Sequence, residues 1–558
     1  ASNTAVGDRC FDVNTTGTRN TGLGQGAGGG NTTGSSNTFI GELSGYSNTT
    51  GNDNTALGKS TLLSNTTGEK NVGIGCSALD ANTTGSYNTA VGRNALSSNT
   101  TASENTAVGN SALSANTTGS SNAALGNSAL QENTTGGKNT AVGYSALDAN
   151  TTASSNTAIG YDALGANTTG AYNTALGDRA LATQTTASNN TAVGYKALNV
   201  NTATGNTSIG FQSMRLTTTG ASNTAVGHDA LEANTTGGYN VSVGYQSLES
   251  STTGEHNVAV GYQCGQDTTT GFYNTLVGSR AGKDITTGGY SVAIGMDSLY
   301  VATTGNYNTA IGMKAGYDVT TGASLCFVGY GAGENATTGS SNTCIGAHAG
   351  ESITTGHTNV CLGYSTGGPS GSGNHSVRIG INAGDGMEAN DANRLWIARN
   401  NDNYNNSGAW VYGDSNGNCY QGSNSSSWYT TSDKRIKKNI VDNTVGLDAI
   451  NQIKVRNFEY RTADEIDLNE WPETVTAGKD VTVNHTGTQL GAIAQEIEDI
   501  IPGSVTNHDG TGKKELSTDP ILWALVNAVK ELSSQNDELR SLIKDSKTFA
   551  SLKSQINN

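Results

Sequence analysis

A glycine recurs every 17 residues through the first 380 positions of this chain. It falls at Gly7, Gly24, Gly41, Gly58, Gly75, Gly92 and onward to Gly380, twenty-three times, with one step of 16 between Gly194 and Gly210. A fixed period of this size restricts the fold to repeat architectures, in which a unit too small to bury its own apolar face buries it against its neighbours. The residue before the glycine is aliphatic every time, from Val6 and Leu23 through Val91 and Ile294 to Ile379. Four residues after it Leu recurs, as in Leu62, Leu79, Leu96, Leu113, Leu130, Leu147 and Leu164, behind a small residue such as Ala78 or Ala95. N-T-T-G or a close relative follows.

N-T-A-V-G reads as a short β-strand with its aliphatic side chain pointing inward, and the A-L pair as a second inward group. N-T-T-G supplies turn chemistry, because Asn bonds its own backbone and Gly accepts positive φ. A helix is excluded by so dense a content of Gly, Thr and Asn. Stacked at about 4.8 Å per rung, the repeats would build a parallel β-roll or β-helix rod on the order of 110 Å long. The expected fold is therefore mostly β: a rod over residues 1–385, a small β neck over 386–431, and a different C-terminal part. The strand phrase Ser291-Val-Ala-Ile-Gly295 resembles the head repeats of trimeric autotransporter adhesins. Those are left-handed parallel β-rolls packed side by side in threes, with a period shorter than 17.

From Gly265 onward A-L gives way to A-G or C-G, as at Ala281-Gly282, Ala315-Gly316, Ala332-Gly333 and Ala349-Gly350. Losing Leu is expected to narrow the coil. Tyr262, Met296, Met313, Tyr330 and Tyr364, just after the strand glycine, would move apolar mass to another face. Repeat drift and a functional change of surface are both open readings. N-T-T is also an N-glycosylation sequon, present at Asn14, Asn31, Asn48, Asn65, Asn82, Asn99, Asn116, Asn133, Asn150, Asn167 and Asn234. A stacked Asn/Thr turn ladder without sugar is the favoured reading.

Composition narrows the function classes. Charged residues are 14% of the chain, against roughly 25% in an ordinary globular protein. The net charge of −16 argues against a nucleic-acid partner, and there is no run of 18 apolar residues to insert in a membrane. The seven cysteines lack a C-x-x-C and the seven histidines lack an H-x-x-x-H pair, so no disulfide framework, metal or cofactor is expected. The chain opens on Ala1 and is inside a repeat by Asn3, as a processed or partial chain would be.

After Gly380 the rhythm stops. L-W-I-A at 395–398 and A-W-V-Y-G-D at 409–414 read as two strands of the neck. The composition breaks at Ser432: residues 432–558 hold 7 of the 75 glycines but 35 charged residues. This part reads as an α+β segment over 432–516 and a helix over 517–558. The helix opens on Ser517-Thr-Asp-Pro520, a cap signal with Pro in the first turn. Leu522, Leu525, Val529, Leu532, Asn536, Leu539 and Ile543 then alternate in spacings of three and four. That is a heptad seam, in which a core Asn fixes register. It points to a homotrimer over an amphipathic helix packed on its own domain.

Four stretches of this segment, in order, carry a resemblance. They are T-S-D-K-R-I-K-K-N-I at 431–440, Ala449-Ile-Asn-Gln-Ile-Lys-Val-Arg-Asn-Phe-Glu-Tyr460, Leu490-Gly-Ala-Ile-Ala-Gln-Glu-Ile497 followed by Ile501-Pro502, and the closing I-L-W-A-L-V-N-A-V-K-E-L. Residues 432–558 resemble the endosialidase-type intramolecular chaperone domain that ends many phage tail fibres and tailspikes. The resemblance implies a domain that trimerises, templates folding of the stalk ahead of it and then cuts itself off. It places the nucleophile at Ser432, the base at Lys437 and the cut at Thr431–Ser432, with Asp433 and Arg435 supporting the loop. A serine needs a base, and a lysine serves only well below its usual pKa of about 10.4. Lys434, Arg435 and Lys438 crowd Lys437 with like charge, which pushes it that way.

The expected function is a viral tail-fibre-like structural or adhesion protein, located in the virion on its extracellular face. Its enzymatic activity would be limited to single-turnover self-cleavage. Its partners would be itself and a host surface receptor, a glycan or a surface protein. Two alternatives remain: a tailspike glycan depolymerase, which needs two carboxylates at a fixed separation, and a cell-surface trimeric adhesin. In the rod Asp162, Asp178, Asp229 and Asp297 fall singly on their rungs.

Overall fold

The computed structural model describes residues 2–367, 371–384, 392–398, 409–413, 419–421, 440–467, 469, 487–507, 514–545 and 548–556. The chain divides into two compact units, 1–428 and 429–558.

The first unit is a parallel β-solenoid. Each rung contributes one three-residue strand, from β1 (Thr4–Val6) to β23 (Val377–Ile379). Each strand pairs in register with the one 17 residues on, as Thr4 with Thr21 and Val6 with Leu23. The stack continues into the neck: β24 (Leu395–Ala398) lies parallel to β23. β25 (Ala409–Gly413) and β26 (Cys419–Gln421) then add antiparallel strands. The two expected neck strands are present, with a third beyond them.

The orientation of the strands corrects the sequence reading. The buried residue is the central one, such as Ala90, Ala107, Ala141 and Ala158, each fully buried. The aliphatic before the glycine faces outward: Val6 is 55% exposed, Leu125 50% and Leu176 44%. The reason is geometric. Side chains alternate across a strand, so a three-residue strand has one inward position, and the strand glycine closes the corner right after it. That glycine has φ between 118° and 149° throughout, where a side chain is strained. A Cβ on Gly160 would also lie 2.4 Å from the carbonyl oxygen of Gly177 on the next rung.

The A-L pair does point inward. Ala78, Leu79, Ala95, Leu96 and their equivalents are fully buried. These leucines sit in left-handed backbone, Leu79 at φ 53° and Leu147 at φ 53°. That conformation costs roughly 1–2 kcal/mol for a residue with a Cβ, while burying a leucine returns about 1.5–3 kcal/mol. Burial therefore holds the corner.

The loss of Leu beyond Gly265 is refilled from other positions. Where Gly282 and Gly316 replace it, the residue three places on is Ile285 or Val319, both buried; where Leu299 is kept, that residue is Ala302. Strand centres compensate too. Phe39 lies against Gly45, Leu276 against Gly282 and Phe327 against Gly333, each so close that a Cβ on the glycine would meet the side chain at 2.4–2.8 Å. Core volume is conserved while its source moves.

Two asparagine ladders satisfy the turns. In the N-T-T column Asn31 Nδ2 donates to Asn14 Oδ1 at 2.8 Å and to Gly34 O at 3.0 Å. Asn48, Asn65 and Asn82 repeat the pattern. From Asn31 to Asn167 these residues are fully buried with their amide nitrogens engaged, so the turn-ladder reading holds and the nitrogen a sugar would need is occupied. The second ladder is the Asn that opens each strand phrase: Asn37 N donates to Asn20 Oδ1 at 2.9 Å, and Asn37 Nδ2 to Gly51 O at 2.9 Å.

The single 16-residue step is absorbed in this turn. Asn201 and Asn206 are five apart instead of six, and Asn201 Nδ2 donates to Ala203 O two residues on rather than three. Strand register is intact on both sides, Thr191 with Thr207 and Thr207 with Thr224.

The second unit is α+β. It comprises α1 (Leu447–Gln452), β27 (Arg456–Phe458) antiparallel to β28 (Gln489–Gly491), α2 (Ala494–Glu498), and β29 (Val505–Asn507) antiparallel to β30 (Lys514–Leu516). The long helix α3 (Thr518–Asp545) and α4 (Phe549–Ile556) follow. The stretch 449–460 is thus helix first and strand only from Arg456. α3 opens at the expected cap, and α4 is additional. Among the described residues no helix is long and apolar enough to cross a membrane.

Candidate functional site

The C-terminal unit has a small core. Ile497 of α2, Ile501 and Ala524 of α3 are buried, with Val445, Ala449, Ile450, Ile453 and Ile521 packed around them. α3 meets this core through its alanines: Ala524 and Ala528 are its buried residues. The proposed seam lies elsewhere on the helix. Leu522 is 54% exposed, Val529 58% and Ile543 51%; Leu525, Leu532 and Leu539 are exposed too, as is Asn536. One helix thus carries an alanine face for its own domain and an exposed, leucine-rich face.

Ser432, Asp433, Arg435 and Lys437, with the Thr431–Ser432 bond, lie outside the described residues. The segment that follows them is described, and it is tied to α3. Asn527 Nδ2 donates to Asn443 O at 2.8 Å and to Val445 O at 3.1 Å. One turn further, Glu531 Oε2 accepts from Leu447 N at 2.9 Å. These two residues flank Val529 of the seam. Their capping role is invisible in a heptad reading, which assigns them merely to the polar side. Arg456 also grips Glu496 through Nε at 3.2 Å and Nη2 at 2.7 Å. That hydrogen bond holds the Glu496 carboxyl below its ordinary value.

Acids meet within and across rungs, and Asp229, expected to stand singly on its rung, shares it with Glu232. Asp229, Glu232 and Glu249 form one group, and Glu334, His348 and Glu351 another, with ligand atoms within 4.8 Å of one another. Several are already engaged. Arg215 pairs with Glu232 at 2.7 Å, His228 with Asp229 at 2.9 Å and Lys314 with Glu334 at 3.0 Å. Burial pushes the Asp229 carboxyl up, against the pull of His228.

At the end of the solenoid the inward column runs Cys344, Cys361, Arg378, all buried. Arg378 Nη1 lies 3.9 Å from Cys361 Sγ, while its Nε and Nη2 have no partner. The hydrogen bond to Cys344, with Arg378 behind it, brings the Cys361 thiol down to about 7 against the effect of burial, and Cys344 is pushed up.

The outer surface carries aromatic columns. Tyr239, His256, Tyr273, Tyr290 and Tyr307 stack with centroids 4.6–5.2 Å apart. Tyr195, Phe211, His228, Tyr245 and Tyr262 form another, at 4.8–5.5 Å. Each inner ring is covered on both faces by its neighbours, so these columns offer edges and hydroxyls rather than open ring faces. At the position after the strand glycine Tyr262, Met296, Met313, Tyr330 and Tyr364 are all exposed, but so are Tyr144, Tyr161 and Tyr245 on rungs that keep their Leu, so no shift of apolar mass accompanies its loss.

No curated protein matches the chain. Residues 432–506, which open on the candidate nucleophile and hold α1, α2 and β27 to β29, match the family described as the chaperone of endosialidase.

Proposed function

We propose that this chain is a viral tail-fibre-like protein in which the solenoid is a homotrimeric rod and the C-terminal unit assembles it, then releases itself by cutting before Ser432. A β-solenoid carrying an endosialidase-type chaperone domain fits a phage tail-fibre or tailspike-like protein. The observation that carries the finer reading is the double use of α3. Its exposed seam is suited to joining copies, and Asn527 and Glu531 on the same helix hold residues 443–447, eleven to fifteen positions beyond Ser432. Zipping the seam would fix that segment, so cleavage would report assembly. Ser432 is the nucleophile in this reading and Lys437 its base, with Asp433 and Arg435 holding the loop. Adhesion to a glycan or protein on a host surface is the role assigned to the rod.

The test is a set of single substitutions in the full chain, read by denaturing gel for the C-terminal fragment and by native sizing. Ser432→Ala and Lys437→Ala are expected to leave an uncut 558-residue chain that still trimerises. Lys438→Ala is expected to be cut. Cutting that survives in Ser432→Ala would remove the serine from its role.

A further inference from the structure

Every strand of the solenoid has two outward positions, its first and third residues. Neither is buried in any of the strands from β1 to β23, whereas the central residue is buried in all but β1. The third is Val, Leu or Ile without exception; the first is Thr or another small uncharged residue, such as Val72, Ala123, Val241 or Val360. No charged or amide side chain occurs at either position along all twenty-three strands. The outer positions just past the glycine differ: Asp8, Glu42, Lys59, Arg93 and Asp178 occur there. Solvent alone gives no reason to exclude charge from one outward column pair and admit it in the next.

We propose that these columns are where the rods of three copies of this chain pack together, with three aliphatic ladders facing one axis. The inference rests on the homotrimer reading above and gives it a surface. Area supports it. Twenty-three rungs at about 4.8 Å, and two outward positions spanning roughly 7 Å along the strand, make a stripe of roughly 800 Å². That matches what each partner contributes to a stable interface, about 800 Å², and its aliphatic column, about half of the stripe, is as large as the largest apolar patch of an ordinary monomer. Length selects the occupant: the ladder runs unbroken for the whole solenoid, and another copy of the solenoid has the same rung spacing over the same distance. Charge agrees with this choice, since copies that each carry −16 repel one another and approach best along an uncharged stripe. Placed at a shared axis, the ladders are related by a closed rotation, as homo-oligomers require.

The experiment uses the full chain with Ile159→Cys on the ladder, or Ser120→Cys on an exposed turn as control. Each is treated with a short-span bismaleimide and run on a denaturing gel. Both are made in a Cys76→Ser, Cys326→Ser, Cys419→Ser background, because Cys76 and Cys419 are exposed and Cys326 itself lies in the outward first column of its strand; that background, otherwise unsubstituted, gives the baseline, and light scattering is taken in parallel. A covalent dimer in Ile159→Cys, absent from Ser120→Cys and from the background chain, is the expected result. A trimer by scattering with no link through Ile159→Cys, or with links through Ser120→Cys instead, overturns this interface and leaves the trimer standing. A monomer by scattering overturns the homotrimer reading and this inference together.

Discussion

The two units of this chain are finished to different degrees. Inside the solenoid each rung is completed by its neighbours: ladders of Asn satisfy the turns, and Ala, Leu, Ile, Val and Phe exchange places to keep the core full. The C-terminal unit buries Ile497, Ile501, Ala524 and Ala528 and leaves a helix of 28 residues with its leucines in water. A solenoid stabilised by nearest neighbours has little in it to choose among equivalent registers between copies, because rungs are alike. An exposed heptad face with Asn536 within it is, in the proposed reading, suited to choosing among them. The proposed function thus assigns stability to one unit and selection to the other.

Deleting residues 432–558 from the gene would test that assignment most severely. The expected outcome is loss of soluble, uniform rods, with out-of-register aggregates on native sizing, whereas removal after folding leaves the trimer intact. A second substitution probes the rod alone. Gly160→Ala places a Cβ against Gly177 O in backbone at φ 138°, and is expected to cost about 3 kcal/mol or more. Hydrogen exchange at residues 140–143 and 174–177 is the suitable measure, since a repeat array does not melt as one two-state unit. The effect is expected to stop within a few rungs.

A smaller effect distinguishes volume compensation from drift. Gly316→Leu overfills a core already holding Val319 and Phe327, at about 1–3 kcal/mol. Adding Val319→Ala recreates the Leu299/Ala302 arrangement of the rung before and is expected to recover part of that loss, as a double-mutant cycle would register. The smallest expected change is a gain. Arg378→Met removes a buried guanidinium with two unpartnered nitrogens, and is expected to stabilise the last rungs by about 1 kcal/mol or somewhat more. A loss instead would mean that the contact with Cys361 outweighs the burial of charge.

Period, strand positions and turns were legible because each depends on residues close in sequence. The direction of the aliphatic was not. In a strand as short as Thr-Ala-Val, an outward Val beside an inward Ala has the same spacing as the reverse, and the difference lies in Leu79 or Leu96 arriving from the corner to cover the Ala. The exchange among Gly282, Ile285 and Leu276 looked like lost pattern because its partners meet only in the stack. Asn527 and Glu531 were passed over for a similar reason: their partners at 443–447 are some eighty residues away. The cleavage residues at 432–437 rest on the resemblance and on the family match that begins at Ser432.

The rung that lost a residue shows how such a gene can vary. Between Asn201 and Asn206 the shortfall is taken up within one turn, and the strands on either side pair as though nothing were missing. A defect that does not propagate is one that recombination can leave behind. Whole units of seventeen codons can be gained or lost by slippage between like sequences, changing the length of the solenoid in steps of about 4.8 Å while the remaining strands stay in register.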